Sequence, residues 1–89
     1  MTNKINCQIV TPDDKYFEGE AYMVVVPGID GSLGFLPGHV PLVSPLGAGQ
    51  LSISDTVNSN DGKKFNIEGG YVQFSDDNII ILAEHVEAV

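Results

Sequence analysis

Apolar and polar residues alternate along most of this chain with a period of two. Ile5, Cys7 and Ile9 are separated by polar neighbours, and residues 51–54 and 64–74 repeat the pattern, the latter interrupted by two adjacent glycines. Alternation of this kind is typical of a strand that buries one face and exposes the other. Each of these segments is therefore predicted to be a half-buried strand.

Two continuous apolar runs, residues 22–26 and 79–82, are predicted to be strands covered on both faces. Turn-forming residues cluster at 11–14 and 75–78. The Asp-Gly pair at 61–62 favours a hairpin, because both central residues of that turn need a positive φ. The chain is therefore divided into short strands by frequent turns.

Helical periodicity is weak throughout the chain. Residues 83–89 are the single segment that could be helical, and so few residues cannot hold a helix alone in water. The length of 89 residues corresponds to one domain. The pattern predicts an all-β fold, either a sandwich or a flattened, partly closed barrel.

The segment from residue 31 to residue 49, the proline ribbon, is apolar but contains five glycines and three prolines. Proline cannot donate a ladder hydrogen bond, so the ribbon is predicted to form short edge strands joined by bends. Its apolar side chains either form a binding interface or close the bottom of the core, and for Leu33, Phe35 and Leu42 both readings stay open. His39 is expected to be exposed.

The net charge of the chain limits the classes of molecule that it could bind. Twelve acidic residues face four lysines and no arginine, for a net charge of −8. A nucleic-acid binder needs a basic surface, and anionic lipid headgroups would repel this chain, so a basic protein surface is the better complement. No apolar run approaches the roughly 20 residues of a membrane span, and the N-terminus lacks the apolar stretch of a secretory signal.

The sequence contains few residues in patterns that are typical of catalysis or of metal and phosphate binding. The single cysteine, Cys7, fits a buried apolar position better than a catalytic thiol. His39 and His85 lack a nucleophile-elbow motif, the glycine-rich residues 28–34 lack the phosphate-loop lysine, and residues 57–68 lack the first ligand of a calcium loop. No catalytic residue, metal site or cofactor is predicted.

Several ordered motifs carry a family resemblance. "GIDGSLGFLPGHVPLVSPLGAGQLSI" is followed by "KKFNIEGGYVQFSDDNIIILAEHVE", and the most specific pieces are G-x-L-G-F-L-P-G-H-x-P-L and F-x-I-x-G-G-Y-V-x-F. Over nearly its whole length the chain resembles the N-terminal domain of the epsilon subunit of F-type ATP synthases, called delta in mitochondria. The resemblance implies a β-sandwich of about ten strands over residues 1–85. Residues 86–89 would begin the C-terminal helical segment of the family, so hairpin inhibition and ATP binding are not assigned to these residues.

The resemblance also implies a function. The family domain is a non-catalytic part of the central rotor stalk, binding the gamma subunit and the loops of the membrane c-ring. It helps couple ion translocation to ATP synthesis between the alpha and beta subunits. The expected location is peripheral, on the cytoplasmic face of a bacterial plasma membrane or the stromal face of a thylakoid membrane. A free-standing β-sandwich that binds a small ligand or peptide through the proline ribbon is the alternative.

The resemblance implies two contact surfaces, one facing the c-ring and one facing the gamma subunit. Ser32 departs from the acidic residue that many relatives carry, which leaves Asp30 as the nearby charge. The segment expected to face the c-ring is Asp30, Gly31, Ser32 and Leu33. The surface expected to face the gamma subunit comprises Thr11, His39, Leu42, Val43 and Ser44.

Overall fold

The computed structural model describes residues 4–54 and 62–89, which contain eight β-strands and no helix. Asp61, half of the predicted Asp-Gly hairpin, lies outside the described residues. The all-β prediction is confirmed. The strands are β1 Ile5–Thr11, β2 Asp14–Ala21, β3 Met23–Gly28, β4 Gly31–Phe35, β5 Leu42–Pro45, β6 Gly49–Ser54, β7 Lys63–Ser75 and β8 Asn78–Ala88.

One continuous sheet forms both layers of the sandwich. Its strand order is β2-β1-β8-β7-β6-β3-β4, and β5 also pairs with β7. The first half of β7 pairs with β6 and its second half with β5, while β8 accompanies it on the other side. The long strands β7 and β8 therefore run through both layers. Counted once in each layer, they give five strands per layer and ten in all, which accounts for the number expected from the resemblance.

The change of layer occurs at Gly69 and Gly70 in β7, where φ is +67° and +114°. Residues other than glycine rarely adopt these φ angles. On either side of the bend, the regular register holds between β7 and β8. Two glycines thus allow one strand to take part in both layers.

The core lies between the layers and is formed by alternate residues of the strands. Phe35 and Phe74 stack at its centre, with ring centroids 5.4 Å apart and an interplanar angle of 18°. Leu33 and Leu42 pack against the core from its margin. Of the two readings left open for Leu33, Phe35 and Leu42, the structure therefore supports the one in which they close the core.

Residues 83–88 are a strand and not a helix. Val86 is buried and pairs with Ile67, and the ladder reaches Ala88. The Val89 N–H then donates to the Lys64 carbonyl at 3.1 Å. Pairing with β7 outweighs the local helical preference. The domain boundary expected at residue 85 accordingly falls inside β8, and residues 86–88 belong to the sheet.

Within residues 4–54 and 62–89 there is no helix with the length and apolarity needed to cross a membrane.

Candidate partner-binding surface

The outer face of one layer exposes apolar side chains that lie side by side on four neighbouring strands. Pro45 of β5 pairs with Tyr71 of β7, Tyr71 with Leu82 of β8, and Leu82 with Val10 of β1. Tyr71 is 56% exposed and Leu82 is 46% exposed. Two residues further along, Val43 and Ile80 lie in the next row, separated by a glutamine. We call this surface the apolar face, comprising Val10, Val43, Pro45, Tyr71, Ile80 and Leu82.

A shallow groove of about 430 Å³ opens at one end of the apolar face. Tyr71 and Leu82 form one wall, and Thr11 and Pro12 form the other. Thr11 is fixed there because its Oγ1 donates to the Asp14 carbonyl at 3.2 Å. The groove therefore joins Thr11, a predicted gamma-contact residue, to the apolar face.

The five predicted gamma-contact residues do not share one orientation. Val43 is 66% exposed and lies on the apolar face, whereas Leu42 and Ser44, its neighbours in β5, alternate toward the core side. Ser44 Oγ donates to the Pro45 carbonyl at 3.3 Å. Thr11 and Val43 are thus placed near the same surface, and the other predicted contacts are less accessible.

His39 is half-buried and not exposed as expected. Its ring packs on Phe35 and Phe74, with centroid distances of 4.8 and 5.5 Å. Nδ1 lies 2.6 Å from the Val40 carbonyl oxygen. Since a carbonyl can only accept, Nδ1 is the donor in this contact. The ring therefore packs between the proline ribbon and the core. The side chain of the next residue, Val40, is exposed.

Of the segment expected to face the c-ring, Asp30 lies at the tip of the β3–β4 hairpin, while Gly31, Ser32 and Leu33 begin β4 and Leu33 packs against the core. Gly28 pairs with Gly31, and Ile29 and Asp30 protrude between them. Gly31 has a φ of +135°, which explains a glycine there. The tip is thus an exposed apolar residue beside an exposed carboxylate.

A second groove, of about 240 Å³, connects the two predicted surfaces. It is bounded by Asp30 and Leu33 from the hairpin and by Ser44 and Pro45 from β5. Pro45 also belongs to the apolar face. The hairpin tip and the apolar face are therefore continuous.

Sequence reasoning missed Tyr71, Leu82 and Val10 as part of this surface. The prediction that residues 79–82 are covered on both faces is wrong, since Leu82 is 46% exposed. The alternation in β7 already indicates that Tyr71 points away from the core side chains Val72 and Phe74. The placement of Leu82 and Val10 beside Tyr71 depends on the register of two further strands. Alternation identifies outward residues, but only the pairing shows which of them are neighbours.

The outer face of the other layer is polar. Gln50 pairs with Asn66, Asn66 with Glu87, and Glu68 with His85. His85 Nε2 is 3.0 Å from Glu87 Oε1. This hydrogen bond raises the pKa of His85 above its usual 6.5, and the negative charges of Glu87 and Glu68 add to the rise. The outer face formed by β6, β7 and β8 in this layer is thus polar, in contrast to the apolar face.

Replacing Glu87 with glutamine is expected to lower the pKa of His85 toward its usual value. A raised folded-state pKa means that the protonated ring stabilises the fold at pH below 6.5 and that this contribution is lost as the pH rises through the folded pKa. An NMR titration of the His85 ring in the wild type and in Glu87→Gln measures the difference. Equal midpoints in the two proteins would contradict the assignment of the pKa shift to Glu87.

Cys7 is a buried cysteine in the described part of the chain. Burial raises the pKa of the Cys7 thiol to about 12, so this residue keeps its proton. Across residues 4–54 and 62–89, no three His, Cys, Asp or Glu side chains are grouped so that they could hold a metal ion.

Curated proteins similar to this chain are ATP synthase epsilon chains. The epsilon chain of Alkalihalophilus pseudofirmus is 40% identical over 83 residues, covering 93% of this chain and 60% of the relative. That of Leptospira borgpetersenii is 36% identical over 85 residues, covering 96% of this chain and 65% of the relative. The chain thus spans less than two thirds of the length of either relative.

Solved structures with the same fold occur in ATP synthase complexes. A chain of the Euglena gracilis mitochondrial ATP synthase, OSCP/F1/c-ring, aligns with a TM-score of 0.85 at 18% identity, covering 99% of this chain and 55% of that chain. A chain of the Tetrahymena thermophila central stalk/c-ring aligns with a TM-score of 0.73 at 22% identity, covering 97% and 69%. Residues 4–89 match the family described as the ATP synthase delta/epsilon chain β-sandwich domain. The resemblance in the sequence motifs is confirmed, and this chain belongs to that family.

Proposed function

We propose that this chain is the β-sandwich part of a non-catalytic central-stalk subunit of an F-type ATP synthase. It binds the gamma subunit through the apolar face and lies against the c-ring through the tip of the β3–β4 hairpin. In this position it couples ion translocation to ATP synthesis carried out elsewhere in the complex. Family membership over residues 4–89 supports the proposal.

The observation that carries the proposal is the exposure of the apolar face. Tyr71, Leu82 and Val43 are each roughly half or more exposed on adjoining strands. A contiguous apolar patch on a small domain is typical of a surface that a partner covers. A large aromatic residue surrounded by aliphatic ones also fits the centre of a protein–protein interface. The gamma subunit is the partner that the family resemblance implies.

Charge supports the second contact. The chain carries a net charge of −8, and Asp30 stands exposed beside Ile29 at the hairpin tip. An acidic tip is steered toward basic loops and repelled by anionic lipid headgroups. We infer a peripheral location at the cytoplasmic face of the membrane, with contact made through protein loops of the c-ring.

Replacing Val43 with glutamate is expected to weaken gamma binding at least about tenfold, because the new charge loses its hydration at the interface. Val43 is exposed, so the fold should remain intact. Gln50→Glu is the matched control, since it adds the same charge to the polar face of the other layer. Isothermal titration of purified gamma subunit with each protein measures the dissociation constants.

Two results would count against the proposal in different ways. If the folded wild-type protein does not bind the gamma subunit, alone or with the c-ring, the proposed function is wrong. If Val43→Glu and Gln50→Glu bind as tightly as the wild type, the function stands and the apolar face is not the contact surface.

A further inference from the structure

Residues 36–41 of the proline ribbon connect β4 to β5 outside the sheet. Pairing stops at Phe35 and resumes at Leu42. Two of the six residues between them are prolines, which have no N–H to donate. The segment nevertheless projects Leu36 and Val40, two exposed apolar side chains. With no ladder to hold them, their positions depend on a few individual contacts.

Asp77, in the turn between β7 and β8, makes one of these contacts. Its Oδ1 accepts a hydrogen bond from the Gly38 N–H at 2.7 Å, although the two residues are 39 positions apart. The Asp77 backbone carbonyl accepts another from the Asn6 N–H at 2.9 Å. A single residue thus joins the segment to the turn between β7 and β8 and to β1.

The geometry at both ends of the Asp77–Gly38 bond is specific. Asp76 and Asp77 have φ of +50° and +59°, which aspartate tolerates better than most residues. Gly38 has a φ of +86°, where a side chain would be strained. A hydrogen bond to an ionised carboxylate is shorter and about twice as strong as a neutral one. The bond therefore fixes a turn that is otherwise closed by the His39 N–H donating to the Leu36 carbonyl at 3.1 Å.

The next residue transmits this constraint to the core. His39 directly follows Gly38 and rests on Phe35 and Phe74. Phe74 lies three residues before Asp77, at the end of β7. The segment is thus held by a polar contact from the Asp77 carboxylate and by packing of His39 on the two rings.

We propose that Asp77 is a positioning residue for partner docking. Its carboxylate holds Gly38, and with it the exposed side chains of Leu36 and Val40, in a segment that leads directly into β5, where Val43 belongs to the apolar face. The partner that covers the apolar face contacts this segment as well. This inference rests on the proposed function, because the partner used to test it is the gamma subunit. Asp77 itself need not touch the partner.

Three substitutions in the same turn test the proposal. Asp77→Gly removes the carboxylate while keeping a residue that accepts positive φ. Asp77→Asn keeps an oxygen acceptor, and Asp76→Gly is the control at the neighbouring position, whose side chain does not bond to Gly38. For Asp77→Gly, amide exchange at Gly38 should accelerate at least about tenfold, and the dissociation constant for the gamma subunit should rise about tenfold. Asp77→Asn should change each value less than about threefold, and Asp76→Gly neither.

The combined measurements separate the possible failures. If Asp77→Gly leaves Gly38 exchange unchanged, the bond does not hold the segment and the proposal is overturned. If exchange accelerates but gamma binding is unaffected, the position of the segment does not matter for docking and the proposal is again overturned. If the wild type itself does not bind the gamma subunit, the proposed function fails first, and the dependent role of Asp77 falls with it.

Discussion

Replacing Gly70 with alanine is expected to lower the free energy of unfolding by about 4 kcal/mol or more. A Cβ at this position would collide with the Leu82 carbonyl oxygen and would lie 2.8 Å from the carbonyl carbon and 2.9 Å from the Ala83 Cα. These are backbone atoms of the neighbouring strand and cannot move without breaking the ladder. The φ of +114° adds strain that any side chain would suffer. Since small domains have only about 5–15 kcal/mol of stability, the loss is a large part of the total.

Two other glycines provide a graded comparison for this experiment. Gly69 has a φ of +67°, but an added Cβ would meet only the flexible side chain of Glu84, at 3.3 Å or more. Gly69→Ala should therefore lower the free energy of unfolding by about 1–2 kcal/mol, which is the strain of the left-handed conformation for a residue with a side chain. Gly34 has open space around it and no positive φ, so Gly34→Ala should stay within about 0.5 kcal/mol of the wild type. Urea unfolding of the three variants checks the order, and equal losses for Gly34 and Gly70 would contradict the steric explanation.

The bend at Gly70 also shapes the candidate surface. Tyr71 is the first residue after the bend, and it pairs with Pro45 on one side and Leu82 on the other. A strand that ran straight through residue 70 would not bring β5 and β6 to different halves of β7. The same two glycines therefore set the layer architecture and the position of the central aromatic residue of the apolar face.

Local patterns in the sequence predict a large part of this fold. The alternation around Ile5 and Ile9, and the glycine pair before Tyr71, correctly indicate strands, buried faces and a sharp bend. These features depend on residues close together in the chain. Burial of alternate side chains and the φ angles open to glycine are both local properties, so a single sequence is enough to read them.

Long-range pairing is the part that the local pattern cannot supply. Val10 lies beside Leu82 because β1 and β8 pair in parallel, with most of the domain between them in sequence. Pairing with β7 likewise makes residues 83–88 a strand, although their composition is compatible with a helix. His39 shows a third case, since its burial depends on Phe74 from a distant strand. In each case the deciding contact joins residues that are far apart in the chain.

Phe74 and Tyr71 lie on the same strand with opposite orientations. We expect alanine at Phe74 to lower mainly the stability of the fold, and alanine at Tyr71 to weaken mainly the binding of the partner. Phe74 is buried, stacks on Phe35 and supports the ring of His39. Phe74→Ala should therefore lower the free energy of unfolding by about 3–5 kcal/mol, through lost contacts and a cavity. Tyr71 is 56% exposed, so Tyr71→Ala should cost less than about 1 kcal/mol.

Partner binding provides the second test for Tyr71, and it distinguishes an interface residue from a core residue. In the folded state, Tyr71→Ala should weaken gamma binding at least about tenfold, because Tyr71 is the large aromatic residue at the middle of the apolar face. Thermal unfolding of both variants, with gamma titration of Tyr71→Ala at a temperature where it is fully folded, measures the two effects separately. If Tyr71→Ala binds the gamma subunit normally, the apolar face is not where the partner docks. If it unfolds as readily as Phe74→Ala, Tyr71 acts as a core residue and its exposure has no functional meaning.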